Sequence, residues 1–154
     1  MAPADEDIWW DRFVERVREE AERRGGRAVV SAPSYVRLDP PEGSTGETVH
    51  LTRYDDGQCK LEVGFLASFM AGFVDFEDDS GILSYVLAVL DGHATESVDI
   101  SATGEWVGVR TAVKLHDGGA RSYWPAPGQG AEPPAARTFD RRIGGWSSLR
   151  FVAG

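Results

Sequence analysis

Apolar residues at Trp10, Phe13, Val14, Val17 and Ala21 recur at the spacing of a single helix face, which predicts an N-terminal helix beginning near Asp5. Asp5 suits the N-cap. Glu6 and Asp7 suit the positive end of the helix dipole, Arg23 and Arg24 its negative end, and Gly25-Gly26 a C-terminal stop. Trp9 and Trp10 are adjacent, so only one can point squarely into a core. From Arg27 the period falls to that of a strand. Residues 27–38 read as strand, interrupted or bulged at Pro33. Pro40-Pro41-Glu42-Gly43 opens a loop. Val49 and Leu51 then alternate with His50 and Thr52, and Asp55-Asp56-Gly57 turns the chain into Cys59, Leu61, Val63 and Phe65, which makes a hairpin.

Leu66, Phe69, Met70 and Phe73 fit a short helix as well as a buried strand, with strand preferred over 69–76, and 80–90 reads as a second helix capped by Asp79 or Ser80 and stopped by Gly92. That helix is apolar nearly all round, so it is expected to pack on more than one side. Val98 and Ile100 mark another strand. The longest, 106–116, places Val107, Val109, Thr111, Val113 and Leu115 on one face and Trp106, Arg110 and Lys114 on the other, and Asp117-Gly118-Gly119 turns it back into 121–124. Residues 125–137 form a Pro/Gly-rich loop, and 138–154 a tail whose Phe139, Ile143, Trp146, Leu149 and Phe151 are expected to dock on the body. This order predicts one α+β domain, 1–154, built on an antiparallel, curved sheet of about six or seven strands with an N-terminal helix and a central apolar helix. Its expected core combines the first helix face with Leu83, Val86, Leu87, Leu90, Val107, Val109 and Val113.

Charge changes the picture more than composition does. Residues 61–105 contain nine carboxylates and neither Lys nor Arg, matching in size the net charge of −9 for the whole chain. A one-signed field of this kind attracts a cationic partner and repels nucleic acid and anionic membrane. The acidic N-terminus lacks the basic and then apolar pattern of a secretory signal, and the longest uncharged run, 63–74, is too short to span a bilayer. A cytoplasmic location is the expectation. The single cysteine, Cys59, excludes an internal disulfide and a multi-cysteine zinc site.

Candidate chemistry is sparse. Asp75, Glu77, Asp78 and Asp79 suggest a calcium loop, but the EF-hand pattern needs Gly and Glu where this chain has Ser80 and Val86. Helix capping and solvated charge account for these acids more simply. His50, His93 and His116 are scattered, Cys59 shares the apolar face of its strand, and no phosphate-binding, nucleophile-elbow or dinucleotide motif occurs. No cofactor or metal is expected, and no catalytic residue is assigned.

Small, acidic, single-domain α+β chains without catalytic motifs resemble the immunity proteins that bacteria encode beside their toxins. The resemblance lies in size, in the acidic region 75–105 and in the missing chemistry. It implies a non-enzymatic protein that neutralises a basic partner such as a toxin, with Asp75, Glu77, Asp78, Asp79, Asp91, Glu96, Asp99, Glu105 and Trp106 as the expected contact set. Arg137, Arg141, Arg142 and Arg150 would flatten that acidic field if the fold brought them to it. The alternative is a small-molecule carrier or sensor with an apolar pocket between sheet and central helix, lined by Phe65, Phe69, Phe73, Phe76 and Tyr85. An enzyme using carboxylates without a recognisable motif is the third reading.

Overall fold

The computed structural model describes residues 5–64, 67–115, 118–124 and 137–146, the segment 118–124 in its backbone alone. Helix α1 spans Asp5–Arg23 and buries Trp10, Phe13, Val17 and Ala21, the periodic stripe that predicts it. It stops where Gly25 adopts φ +84°, with Gly25 N donating to Glu22 O and Gly26 N to Ala21 O. Gly26 admits no side chain, because a Cβ there would stand 2.4 Å from Asp39 O and 2.5 Å from the Trp146 ring. Of the adjacent tryptophans, Trp10 is buried and Trp9 half-buried.

Five strands follow as an antiparallel meander: β1 (Arg27–Ala32), β2 (Tyr35–Asp39), β3 (Val49–Arg53), β4 (Gln58–Val63) and β5 (Ala67–Gly72). The expected single strand over 27–38 is therefore two, since the chain reverses at Pro33-Ser34 and pairs Val30 with Val36. The 49–63 hairpin forms as expected, with Leu51 opposite Leu61. The strand expected over 69–76 runs instead over Ala67–Gly72, because the chain leaves the sheet at Phe73 to bury Phe73 and Phe76 beneath α1. Val36, Leu38, Val49, Leu51, Cys59, Leu61 and Phe69 line the inner face of this sheet. Arg37, His50, Thr52, Lys60 and Glu62 alternate with them on the outer face.

Helix α2 spans Ile82–Leu90 and touches α1, β4 and β5 and also the strand Trp106–Leu115 of a second sheet. Its nearly uniform apolar surface has this cause, and Ile82, Leu83, Val86, Val89 and Leu90 are buried while Leu87 is half-buried. The second sheet is also antiparallel, in the order β8-β7-β6-β9, from β6 (Ala94–Ile100), β7 (Trp106–Leu115), β8 (Gly118–Trp124) and β9 (Arg137–Ile143). The α+β class holds. The described residues make nine strands in two sheets where a single sheet of six or seven was expected.

Part of the added strand count lies in the expected tail, whose first residues are β9, paired along β6. Ile143 is buried, Phe139 is exposed, and Trp146 packs into the core with its Nε1 donating to Glu47 O at 2.8 Å. Leu149 and Phe151 lie outside the described residues, as do Phe65, His116, Arg150 and the 125–136 stretch. One hydrophobic cluster joins α1, both sheets and α2. No helix among the described residues is long and apolar enough to cross a membrane.

Candidate functional site

The fold divides the expected acidic contact set into two groups. In the first group each carboxylate has an arginine. Glu96 sits in β6 on the same face as Ala94, is fully buried, and accepts from Arg141 Nε at 3.0 Å; Arg141 also reaches Glu47 at 3.1 Å. Burial pushes the Arg141 guanidinium down, and its bonds and charge contacts with Glu96 and Glu47 more than reverse that, leaving it above its ordinary value. Asp99 is buried and accepts from Arg110 and from the Thr138 hydroxyl, each at 2.8 Å. Asp91, just after α2, binds Arg24 at 3.0 and 3.1 Å, which ties the end of α1 to the end of α2. Arg24 also holds Glu20 at 2.8 Å. Of the expected contact residues, Glu96 and Asp99 are thus withdrawn from the surface into internal ion pairs, and Asp91 is paired while staying partly open to solvent, because the fold delivers distant arginines to all three.

In the second group are Asp75, Glu77, Asp78 and Asp79, on the loop between β5 and α2. All four are exposed, and among the described residues none forms an ion pair. The expected helix cap does not occur: Gly81 occupies the N-cap position with no side-chain hydrogen bond, so Asp79 and Ser80 are left outside the helix. Backbone contacts hold the loop instead. Phe73 N donates to Gly57 O, Asp78 N to Asp75 O, Gly81 N to Asp78 O and Leu83 N to Phe76 O. Gly81 passes so close to Phe76 that a Cβ would meet its carbonyl oxygen at 2.3 Å. Asp75 alone among described non-glycine residues has a positive φ, +55°. Beneath the loop the Phe76 ring lies 5.4 Å from Phe13 and meets Trp9 edge-on at 6.1 Å. Its side chains project from an anchored backbone.

Glu105 and Trp106 are exposed at the start of β7, on the other sheet. The structure does not group them with the 75–79 loop by any described contact.

Of the residues expected to line an apolar pocket, Phe69, Phe73 and Phe76 are buried in the core beside α1 and α2, and Tyr85 is half-buried. An open groove of about 570 Å³ along the first sheet has a mixed lining, with Glu47, His50, Lys60 and Glu62 beside Val63 and Ala67. His50 there is bonded through Nδ1 to the Tyr35 hydroxyl. His93 stands alone and exposed after α2. Cys59 is buried, and desolvation pushes its thiol up to about 12, against which a backbone hydrogen bond at Thr52 acts only weakly.

Sequence reasoning missed the neighbours of the loop. The β3–β4 turn, with Asp55 and Asp56, and the first turn of α1, with Glu6, lie against it around Gly57. Their acids read locally as turn formers and dipole partners, and only the fold assembles them. No known protein-family model matches the chain, and neither a curated protein nor a solved structure matches it.

Proposed function

We propose that this chain is a non-enzymatic binding protein that neutralises a basic protein partner, such as a toxin, in the cytoplasm, in the manner of the immunity proteins it resembles. One observation carries the reading. Asp75, Glu77, Asp78 and Asp79 stand exposed and without counter-ions among the described residues, although other acids of the same segment have been given arginines. Four like charges held together on an anchored loop destabilise the free protein slightly and favour a cationic surface when one arrives. None of the four caps α2, so capping does not account for them.

The test is capture by the immobilised protein from a lysate of the organism that encodes it, at low and raised salt, beside a D75K/E77K/D78K/D79K variant. The expected result is a protein of basic isoelectric point, released by salt and not retained by the variant. Capture of an acidic protein, or equal retention by the variant, overturns the reading.

A further inference from the structure

Gly57 at the β3–β4 turn marks where three segments meet. A Cβ on it would lie 3.5 Å from Val74 Cγ2 and 3.8 Å from Glu6 Oε1, and its own carbonyl accepts from Phe73 N at 3.0 Å. From the same hairpin Arg53 reaches Asp7 at 2.6 Å and lies over the Phe73 ring, 5.3 Å from its centroid. The first turn of α1, the β3–β4 turn and the 73–79 loop therefore make one continuous end face. Its charge is predominantly negative beyond the loop itself. Asp5 and Glu6 on α1, and Asp55 and Asp56 on the turn, form no ion pair among the described residues. Two cations among the described residues belong to this face: Arg53, engaged by Asp7, and Arg12, which lies over the Trp9 ring. Apolar surface is exposed among these acids: Tyr54 is 40% and Val74 37% exposed, and half-buried Trp9 adds part of its ring, with Arg12 over it at 4.8 Å.

Resting on the reading above, we infer that the docking surface is this whole three-segment face, and that it fits a protein presenting Arg or Lys side chains around an apolar centre. Charge complementarity selects the sign of the partner. The apolar groups decide its class. Exposed charge pairs contribute little by themselves, because water and salt screen them, whereas a water-excluding apolar centre with a charged rim gives a stable contact. Nucleic acid and anionic membrane carry the sign that this face repels.

The experiment uses two synthetic peptides of equal length and charge, one of alternating Arg and Gly, the other with half of its glycines replaced by Leu or Trp. Each is titrated into the isotope-labelled full chain and followed by NMR at low and moderate salt. The expected result is that backbone signals of 5–9, 53–57 and 73–79 shift, and that the Leu/Trp peptide binds roughly tenfold tighter. Tyr54→Ser and Val74→Ser should remove that preference while the Arg-Gly peptide still binds and the spectra keep their native dispersion. Equal binding of both peptides, with shifts confined to 75–79, overturns the three-segment face and leaves the electrostatic reading standing. Shifts centred on the second sheet, or no binding of either peptide at low salt, overturn both.

Discussion

Glu96 and Asp78 come from the same acidic, base-free stretch of chain, yet one is a fully buried partner of Arg141 and the other an exposed carboxylate with no ion pair. Asp91 and Asp99 fall on the side of Glu96, and Asp75, Glu77 and Asp79 on the side of Asp78. The difference shows that an excess of one charge along a sequence is not yet a surface. Arginines from the residue after α1, from β7 and from β9 arrive by folding and consume part of it, and most of what remains unpaired is concentrated on the exposed 75–79 loop. In the first group charge is paired within the fold; in the second it stands exposed to solvent.

Four measurements break or sharpen this contrast. Phe76→Ala leaves every charge in place but removes the ring that anchors the loop between Phe13 and Trp9, and should cost about 3–5 kcal/mol in denaturant unfolding. A loss under 1 kcal/mol would show that the loop is not held from below. Arg141→Met removes the Nε bond to the buried Glu96 carboxylate, and a loss of roughly 3 kcal/mol is expected by the same assay. If its stability matches wild type, Glu96 is not dependent on that pair.

The third measurement is an acid titration of stability. Burial pushes the Glu20 carboxyl up, but hydrogen bonds from Arg24 and Arg16 and the charges of Arg24 and Arg23 outweigh it, leaving the group below its ordinary 4.5. The folded state thus favours the ionised form. That stabilisation is fully present above 4.5 and is lost as pH falls through the lower folded value. Asp39 acts in the same direction, held down first by its bond from Arg37, with burial opposing and Arg27 assisting. Glu20→Gln should therefore lose about 1–2 kcal/mol at neutral pH and show a shallower fall in stability below 4.5 than wild type. An unchanged slope would remove Glu20 from the acid response. Smallest is Asp78→Asn with Asp79→Asn, expected to change stability by less than about 0.5 kcal/mol, because neither residue caps α2 or pairs internally. A substantial destabilisation would move these two residues into the structural group.

Periodicity made several elements legible. The α1 stripe, the 49–63 hairpin and the alternation of 106–115 rest on local spacing, and local spacing survives into the fold. A period of two, however, says which face of a strand is apolar and not which sheet the strand joins, so the division into two sheets was hidden. The apolar circumference of α2 was its one trace. Pairing was hidden more deeply, since Asp91 and Arg24 are 67 residues apart, Glu96 and Arg141 45, and Asp99 and Arg110 11. For Glu96 a signal existed: it alternates in phase with Ala94 and Val98, on the face that turns toward the interior. The end face could not be read at all, because its acids on α1, on the β3–β4 turn and on the 73–79 loop each had a sufficient local explanation.

The position of α2 bears on how the whole chain melts. It is shared by two sheets, so neither can separate from it without exposing apolar helix surface that the other sheet cannot cover. The two sheets should consequently not behave as two calorimetric units. Heat unfolding is expected to be a single transition with equal calorimetric and van't Hoff enthalpies, and resolved transitions would show that the second sheet is separable. With such coupling, partial opening at one sheet is resisted by the other, and the loop that runs from β5 into α2 inherits that resistance. Four exposed carboxylates are thereby attached to a helix that both sheets hold in place.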